Sequence, residues 1–190
     1  MSQPVVFLDR DGVINHDSDA YIKSWAEFRF IPKSREALGR LTAAGFALVV
    51  VTNQSAIGRG LITPQGLDEI HGRMTEAVAR RGGRILDVFF CPHRPEEGCA
   101  CRKPRPGLIA AACRRHGLDP AAAVMVGDSA RDIRCGRRAG CRAALLVRTG
   151  RHAQALAELQ RDGETPDAVL DDLAAAADWI VRLFKPTAAA

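Results

Sequence analysis

The chain has 190 residues, 47% of them apolar, enough to bury one sizeable core, so a single domain is expected. Its 27 Lys and Arg against 22 Asp and Glu leave a modest positive balance that suits anionic ligands, either phosphorylated small molecules or nucleic acid. No run approaches the roughly 18 continuous apolar residues of a membrane span, and the seven Phe, two Trp and one Tyr do not interleave with a basic stretch, so a soluble, cytoplasmic protein with no nucleic-acid or membrane partner is expected.

In chain order, VVFL (5–8) is the first apolar run and reads as a strand. FLDRDGVIN (7–15) then sets Asp9 and Asp11 one residue apart behind it. Side chains at i and i+2 of an extended segment point the same way, so the two acids address one ligand while Arg10 points elsewhere, and Gly12 permits a sharp turn. Neighbouring carboxylates repel unless a cation neutralises them or one keeps its proton, which suits a metal site or an acid/base pair. Taken alone, the pair also fits the cap of a turn or the metal site of a sugar-nucleotide transferase.

A helix is expected over 33–44, stopped by Gly45, then a strand ALVVV (47–51) followed by VTNQS with Thr52. A second helix (64–81) opens at Thr63-Pro64 and closes at Gly82-Gly83, and DVFF (87–90) reads as the third strand. Helix 107–116, strand AVMVG (123–127), helix 129–139, strand AALLV (143–147) and helices 153–161 and 171–184 complete the chain, with 1–185 as one domain and 186–190 as a loose tail. The strands lack polar alternation, as strands covered on both faces do, so a doubly wound α/β fold with a parallel sheet is expected. Ligands in such a fold bind beyond the carboxyl ends of the strands, where every polar motif falls.

CPHRPEEGCACRKP (91–104) holds Cys91, His93, Cys99 and Cys101, a tetrahedral zinc inventory with all four positions filled by protein. That is the pattern of structural Zn2+ in a loop over 91–101, with redox thiols as the other reading. Cys113, Cys135 and Cys141 have no neighbouring ligands and read as small buried apolar residues.

Asp-x-Asp-Gly after the first strand, Thr52 after the second, Lys103-Pro104 after the cysteine loop and the Gly-Asp-x-x-x-Asp of VGDSARD (126–132) together resemble the haloacid dehalogenase superfamily of phosphatases. The resemblance implies that Asp9 attacks phosphorus to form an aspartyl-phosphate, and that Asp11 protonates the leaving oxygen and later deprotonates water. It implies that Thr52 and Lys103 hold the phosphoryl oxygens, and that Asp9, the Asp11 carbonyl and Asp128 bind Mg2+ with Asp132 behind them. Only about forty residues separate Asp11 from Thr52, so no large cap is expected.

A zinc loop running into Cys-Arg-Lys-Pro resembles two sister groups of that superfamily, phosphatases of D-glycero-D-manno-heptose 1,7-bisphosphate and of histidinol phosphate. The segment 53–60 (NQSAIGRG) is similar to that of the heptose group, which implies a sugar bisphosphate as the partner of the site. On that reading Asn53, Gln54 and Ser55 contact substrate, and Arg59 and Arg102 meet the remote phosphate through charge-assisted hydrogen bonds. The loop 17–23 overhangs the site, with Asp17, Asp19 and Tyr21 facing sugar hydroxyls. Val13 and Ala56 stand where the family often has Thr and Gly, which leaves the catalytic set intact. The basic stretch 131–142, with Arg134, Arg137, Arg138 and Arg142, reads as the solvated face of a helix rather than a nucleic-acid surface, and a monomer is expected.

Overall fold

The short apolar runs all become strands because helices cover both faces of the sheet, fully over its central strands and in part over residues 85–91. In the computed structural model, which describes residues 3–185, β1 (Val5–Leu8), β2 (Ala47–Asn53), β3 (Ile85–Cys91), β4 (Ala123–Gly127), β5 (Ala143–Val147) and β6 (Ala168–Leu170) form one sheet in the order β3-β2-β1-β4-β5-β6. Every pairing is parallel. The helices are α1 (Ser34–Ala43), α2 (Pro64–Ala79), α3 (Gly107–His116), α4 (Ala130–Arg138), α5 (His152–Arg161) and α6 (Leu173–Phe184).

Successive strand residues feed opposite layers. Val6, Leu8, Val50 and Val126 pack with Leu38, Leu41, Leu67, Ile70, Met74 and Ile180 from α1, α2 and α6. Val5, Phe7, Val49 and Met125 pack with Leu108, Ile109, Ile133, Ala155 and Leu159 from α3, α4 and α5. Each strand therefore shows no polar alternation, and each helix needs only one apolar stripe.

The expected helices are all present, with ends set by local chemistry. The helix expected from 171 begins at Leu173, since the Asp172 carboxylate accepts from Ala175 N and caps it. The one expected to reach 81 ends at Ala79, and Gly82 takes the turn at φ +77°. The three-residue β6 went unforeseen; it lies at the sheet edge, partly exposed, and is too short to carry a pattern. The expected tail at 186–190 lies outside the described residues. Cys135 is fully buried as expected, whereas Cys113 and Cys141 are partly exposed.

Beyond Arg131, the arginines of the basic stretch 131–142 are committed within the molecule. Arg134 forks onto Glu158, Asp162 and Glu164, Arg137 reaches Asp167, and Arg142 lies over the Phe184 ring. No helix among the described residues is long and apolar enough to cross a membrane.

Candidate active site

Strand order reverses between β1 and β4, which opens a crevice beyond their carboxyl ends. Asp9 and Asp128 stand just past the ends of these two strands, tied by Asp9 N donating to Val126 O at 2.9 Å. Thr52 and Asn53 contribute from β2, which runs two residues further than expected, and Lys103 arrives on the loop after β3. A cavity of about 320 Å³ is lined by Asp9, Asp11, Thr52, Lys103, Asp128 and Asp132 among others.

Lys103 is the electrostatic centre, 2% exposed, with Nζ at 2.9 Å from Asp9 Oδ2 and 2.6 Å from Asp132 Oδ1. Burial pulls its pKa down, but the Asp132 and Asp9 carboxylates outweigh that and hold it above the ordinary lysine value. Asn53 fixes the lysine's backbone from both sides, accepting from Lys103 N at 3.1 Å and donating to Lys103 O at 3.2 Å. Asp132 also accepts from the Ser129 amide and hydroxyl at the head of α4, so the same carboxylate caps a helix and anchors the lysine.

Two acids remain short of compensation. Burial, opposed by Lys103 and reinforced by Asp132 and Asp11, lifts Asp9 to about 6. Burial and the charges of Asp132 and Asp9 lift Asp128 to about 7. Carboxylate oxygens of Asp9, Asp128 and Asp132 lie within 4.8 Å of one another. Hard oxygen donors carrying surplus negative charge at this spacing fit a divalent cation.

Asp9 and Asp11 line one cavity as expected, but Arg10, expected to point elsewhere, lines it too and holds Asp11. Strand geometry ends at Leu8, and residues 10–15 fold into a turn with Ile14 N and Asn15 N on Arg10 O, so alternation no longer governs where side chains point. Arg10, 0% exposed, turns into the protein and grips Asp11 through Nε (3.2 Å) and Nη2 (2.9 and 3.0 Å). Asn15 Nδ2 and Gln54 Nε2 donate to the same carboxylate, each at 2.8 Å. Burial would raise the acid, but Arg10 and these amides outweigh it and hold Asp11 below its usual range. His71 backs Arg10 at 3.2 Å and is itself driven down to about 3 by burial and that guanidinium.

The turn is built around Gly12. Its φ is +81°, and a Cβ there would lie 2.3 Å from Asp128 Oδ2. Gly12→Ala should therefore cost about 1–3 kcal/mol, read as a lower urea midpoint, and a variant as stable as the parent would refute the assignment. Gly150 makes the opposite wall in the same way, its would-be Cβ 2.0 Å from Asp128 Oδ2, which lets Arg151 N donate to that oxygen at 2.8 Å.

Among the expected substrate contacts, Tyr21, Asn53, Gln54, Ser55 and Arg102 line the cavity. Arg59 is exposed and does not. Asp17 and Asp19 line it but are already paired, with Arg151 Nε and Nη2 at 2.7 and 2.6 Å. Arg10, Arg131 and Arg151 are lining residues that sequence reasoning missed; the only signals were their places in the Asp-x-Asp and VGDSARD motifs and beside a glycine after β5.

Beside this cavity, Cys91, His93, Cys99 and Cys101 converge. Cys101 Sγ lies 3.3 Å from Cys91 Sγ, 3.4 Å from Cys99 Sγ and 3.3 Å from His93 Nδ1, and Cys91 Sγ lies 3.5 Å from Cys99 Sγ. Metal–sulfur bonds of about 2.3 Å in a tetrahedron give edges of roughly 3.5–3.8 Å, a few tenths of an ångström wider than this cluster, and three thiols with an imidazole are donor types that fit zinc. Arg102 and Lys103 follow directly, and Arg102 Nη1 donates to His93 O at 3.1 Å.

A family model described as HAD-hydrolase-like matches residues 100–176. A protein of Bordetella bronchiseptica named D-glycero-beta-D-manno-heptose-1,7-bisphosphate 7-phosphatase is 44% identical over 180 residues, spanning 94% of this chain and 98% of that one. The chain belongs to this phosphatase family, within the haloacid dehalogenase superfamily. A Pseudomonas aeruginosa protein of the same name is 41% identical, covering 96% of this chain and 100% of that one. The solved heptose bisphosphate phosphatase of B. bronchiseptica, complexed with magnesium and phosphate, superposes with a TM-score of 0.87 at 43% identity, over 95% of this chain and 99% of that one. The family resemblance carried by the four ordered motifs is thereby borne out, as is the parallel α/β fold, and no large cap stands over the site among the described residues.

Proposed function

We propose that this protein is a Mg2+-dependent phosphomonoesterase that removes the 7-phosphate of D-glycero-D-manno-heptose 1,7-bisphosphate, acting as a cytoplasmic monomer. The observation that carries this reading is the Asp9–Lys103–Asp132 array, with Asp128 beside it, in a chain similar over nearly its whole length to phosphatases of that name. The product, a heptose 1-phosphate, would then be activated to a nucleotide sugar for envelope glycans.

Asp9 is the nucleophile. Its carboxylate oxygen bonds to phosphorus, the bond from phosphorus to the C7 oxygen breaks, and Asp11 gives that oxygen a proton. Water then attacks the aspartyl-phosphate with Asp11 as base, and inorganic phosphate leaves. Thr52 and Lys103 hold the phosphoryl oxygens as charge builds, the contribution such sites depend on most. Asp11 as it stands, ionised in the Arg10 fork, is ready for the second step; for the first it must leave that fork and carry a proton. Asp9, Asp128 and the Asp11 carbonyl would hold Mg2+, which supplies neutralising charge for the carboxylates and the phosphoryl group. The four-ligand cluster would hold Zn2+ as a structural ion, fixing the loop that delivers Arg102 and Lys103.

Histidinol phosphate, the nearest rival, presents cationic groups that need uncommitted acids, whereas Asp17 and Asp19 are tied to Arg151. Phosphate release is to be compared across both heptose bisphosphate anomers and histidinol phosphate. The kcat/KM for a heptose compound should exceed that for histidinol phosphate by about 10²-fold or more, with the β anomer ahead. A reversed order would displace the sugar and leave the chemistry.

A further inference from the structure

Five cationic side chains line the cavity, and three are matched by acids: Arg10 by Asp11, Lys103 by Asp9 and Asp132, and Arg151 by Asp17 and Asp19. Among the described residues Arg102 has only a backbone carbonyl as partner. Arg131 makes no hydrogen bond or ion pair among the described residues, although the neighbouring Asp132 is a carboxylate. That carboxylate is taken up by Lys103 and Ser129.

The two uncommitted arginines share a wall. Each adjoins in sequence one member of the buried Lys103–Asp132 pair, whose 2.6 Å contact holds the two backbones together, and both line this cavity and the groove beside it. Two guanidiniums brought together without a counter-charge repel, and a dianion between them removes that cost. Arg131 lies in the first turn of α4, capped by Ser129 and Asp132, so its backbone is fixed while its side chain stays free to reach into the cavity.

We propose that Arg131 is a specificity residue that holds the substrate's second phosphate together with Arg102. This rests on the bisphosphate reading above. It replaces Arg59, which lies off the cavity, as the second arginine of the clamp. Guanidinium forks match phosphate oxygens in pairs, and an ammonium in the same place matches only one.

The test is steady-state kinetics of the metal-loaded protein on heptose 1,7-bisphosphate and on heptose 7-phosphate, with Arg131→Ala, Arg131→Lys and Arg102→Ala beside the parent, and thermal unfolding to verify the fold. Arg131→Ala should raise KM for the bisphosphate about tenfold, leave its kcat within about twofold, and leave both parameters for the monophosphate near parental; Arg131→Lys should restore part of the loss. Equal effects on both substrates would overturn the proposal. An unchanged Arg131→Ala beside a parent that prefers the bisphosphate would overturn Arg131 alone. A parent that does not discriminate between the two compounds would overturn the bisphosphate reading, and this inference with it.

Discussion

Asp9→Asn should abolish turnover while leaving the protein folded. An amide nitrogen or oxygen does not form a hydrolysable acyl phosphate, and the loss of a nucleophile leaves only the background supplied by the rest of the site, so kcat should fall by about 10⁴-fold or more. Stability should move the other way or not at all. An acid whose folded pKa lies above its unfolded value loses stability for the fold as pH rises between the two, for Asp9 from 3.8 to about 6. At neutral pH the ionised side chain therefore opposes folding, and the neutral amide does not. Lys103 keeps Asp132 at 2.6 Å, so the ammonium is not orphaned by the change. Phosphate release, thermal unfolding and intact mass to exclude deamidation form the measurement. A folded Asp9→Asn protein with the parental rate would remove the chemical basis of the proposal.

Cys101→Ser should release zinc and lower the melting temperature, with catalysis falling as a consequence. Cys101 Sγ is the most connected of the four donors, within 3.4 Å of the other three. It also directly precedes Arg102 and Lys103, so the loop that carries the buried lysine of the cavity is tied through it. Structural zinc contributes on the order of 10 kcal/mol of apparent binding free energy in small sites. The remaining ties of the loop are hydrogen bonds, among them Arg105 to the Gly98 and Cys99 carbonyls, Arg102 to His93 O, Gly58 N to Pro92 O and Asn53 to the Lys103 backbone. About one zinc per chain is expected in the parent and a small fraction of that in the variant, with the melting temperature lower by at least about 5 °C. Metal analysis and calorimetry give both numbers. Unchanged metal content, or a metal-free parent with the same melting temperature, would show that the cysteines do not form a metal site.

The Arg10–Asp11 fork bears on how the proposed acid is held in a site with no large cap among the described residues. Asp11 accepts from Arg10, Asn15 and Gln54 at once, and Gln54 also donates to the Thr52 hydroxyl at 3.0 Å. The expected proton donor and the expected phosphate ligand therefore share one amide. Across the cavity, Arg151 gathers Asp17 and Asp19 from a loop more than 130 residues away in sequence and sends its amide to Asp128.

The fold class was written in the apolar runs, because strands covered on both faces need no polar positions and a three-layer packing leaves each helix one stripe. Asp9, Asp11, Thr52 and Lys103 were singled out by the ordered motifs that resemble the superfamily, and they meet in one cavity because strand ends in a doubly wound sheet share one crevice. The cluster of Cys91, His93, Cys99 and Cys101 was legible because its members lie within eleven residues. What lay beyond a strand's end was decided by the tertiary structure alone. Once residues 10–15 leave the extended form, alternation no longer applies, and Arg10 turns inward to take Asp11. Arg59 falls outside the cavity while Arg131 and Arg151 come into it, because arginine side chains are placed by what their own loops and helices pack against. Sequence periodicity carries information over a few residues; the partners of a charge are chosen across the whole chain.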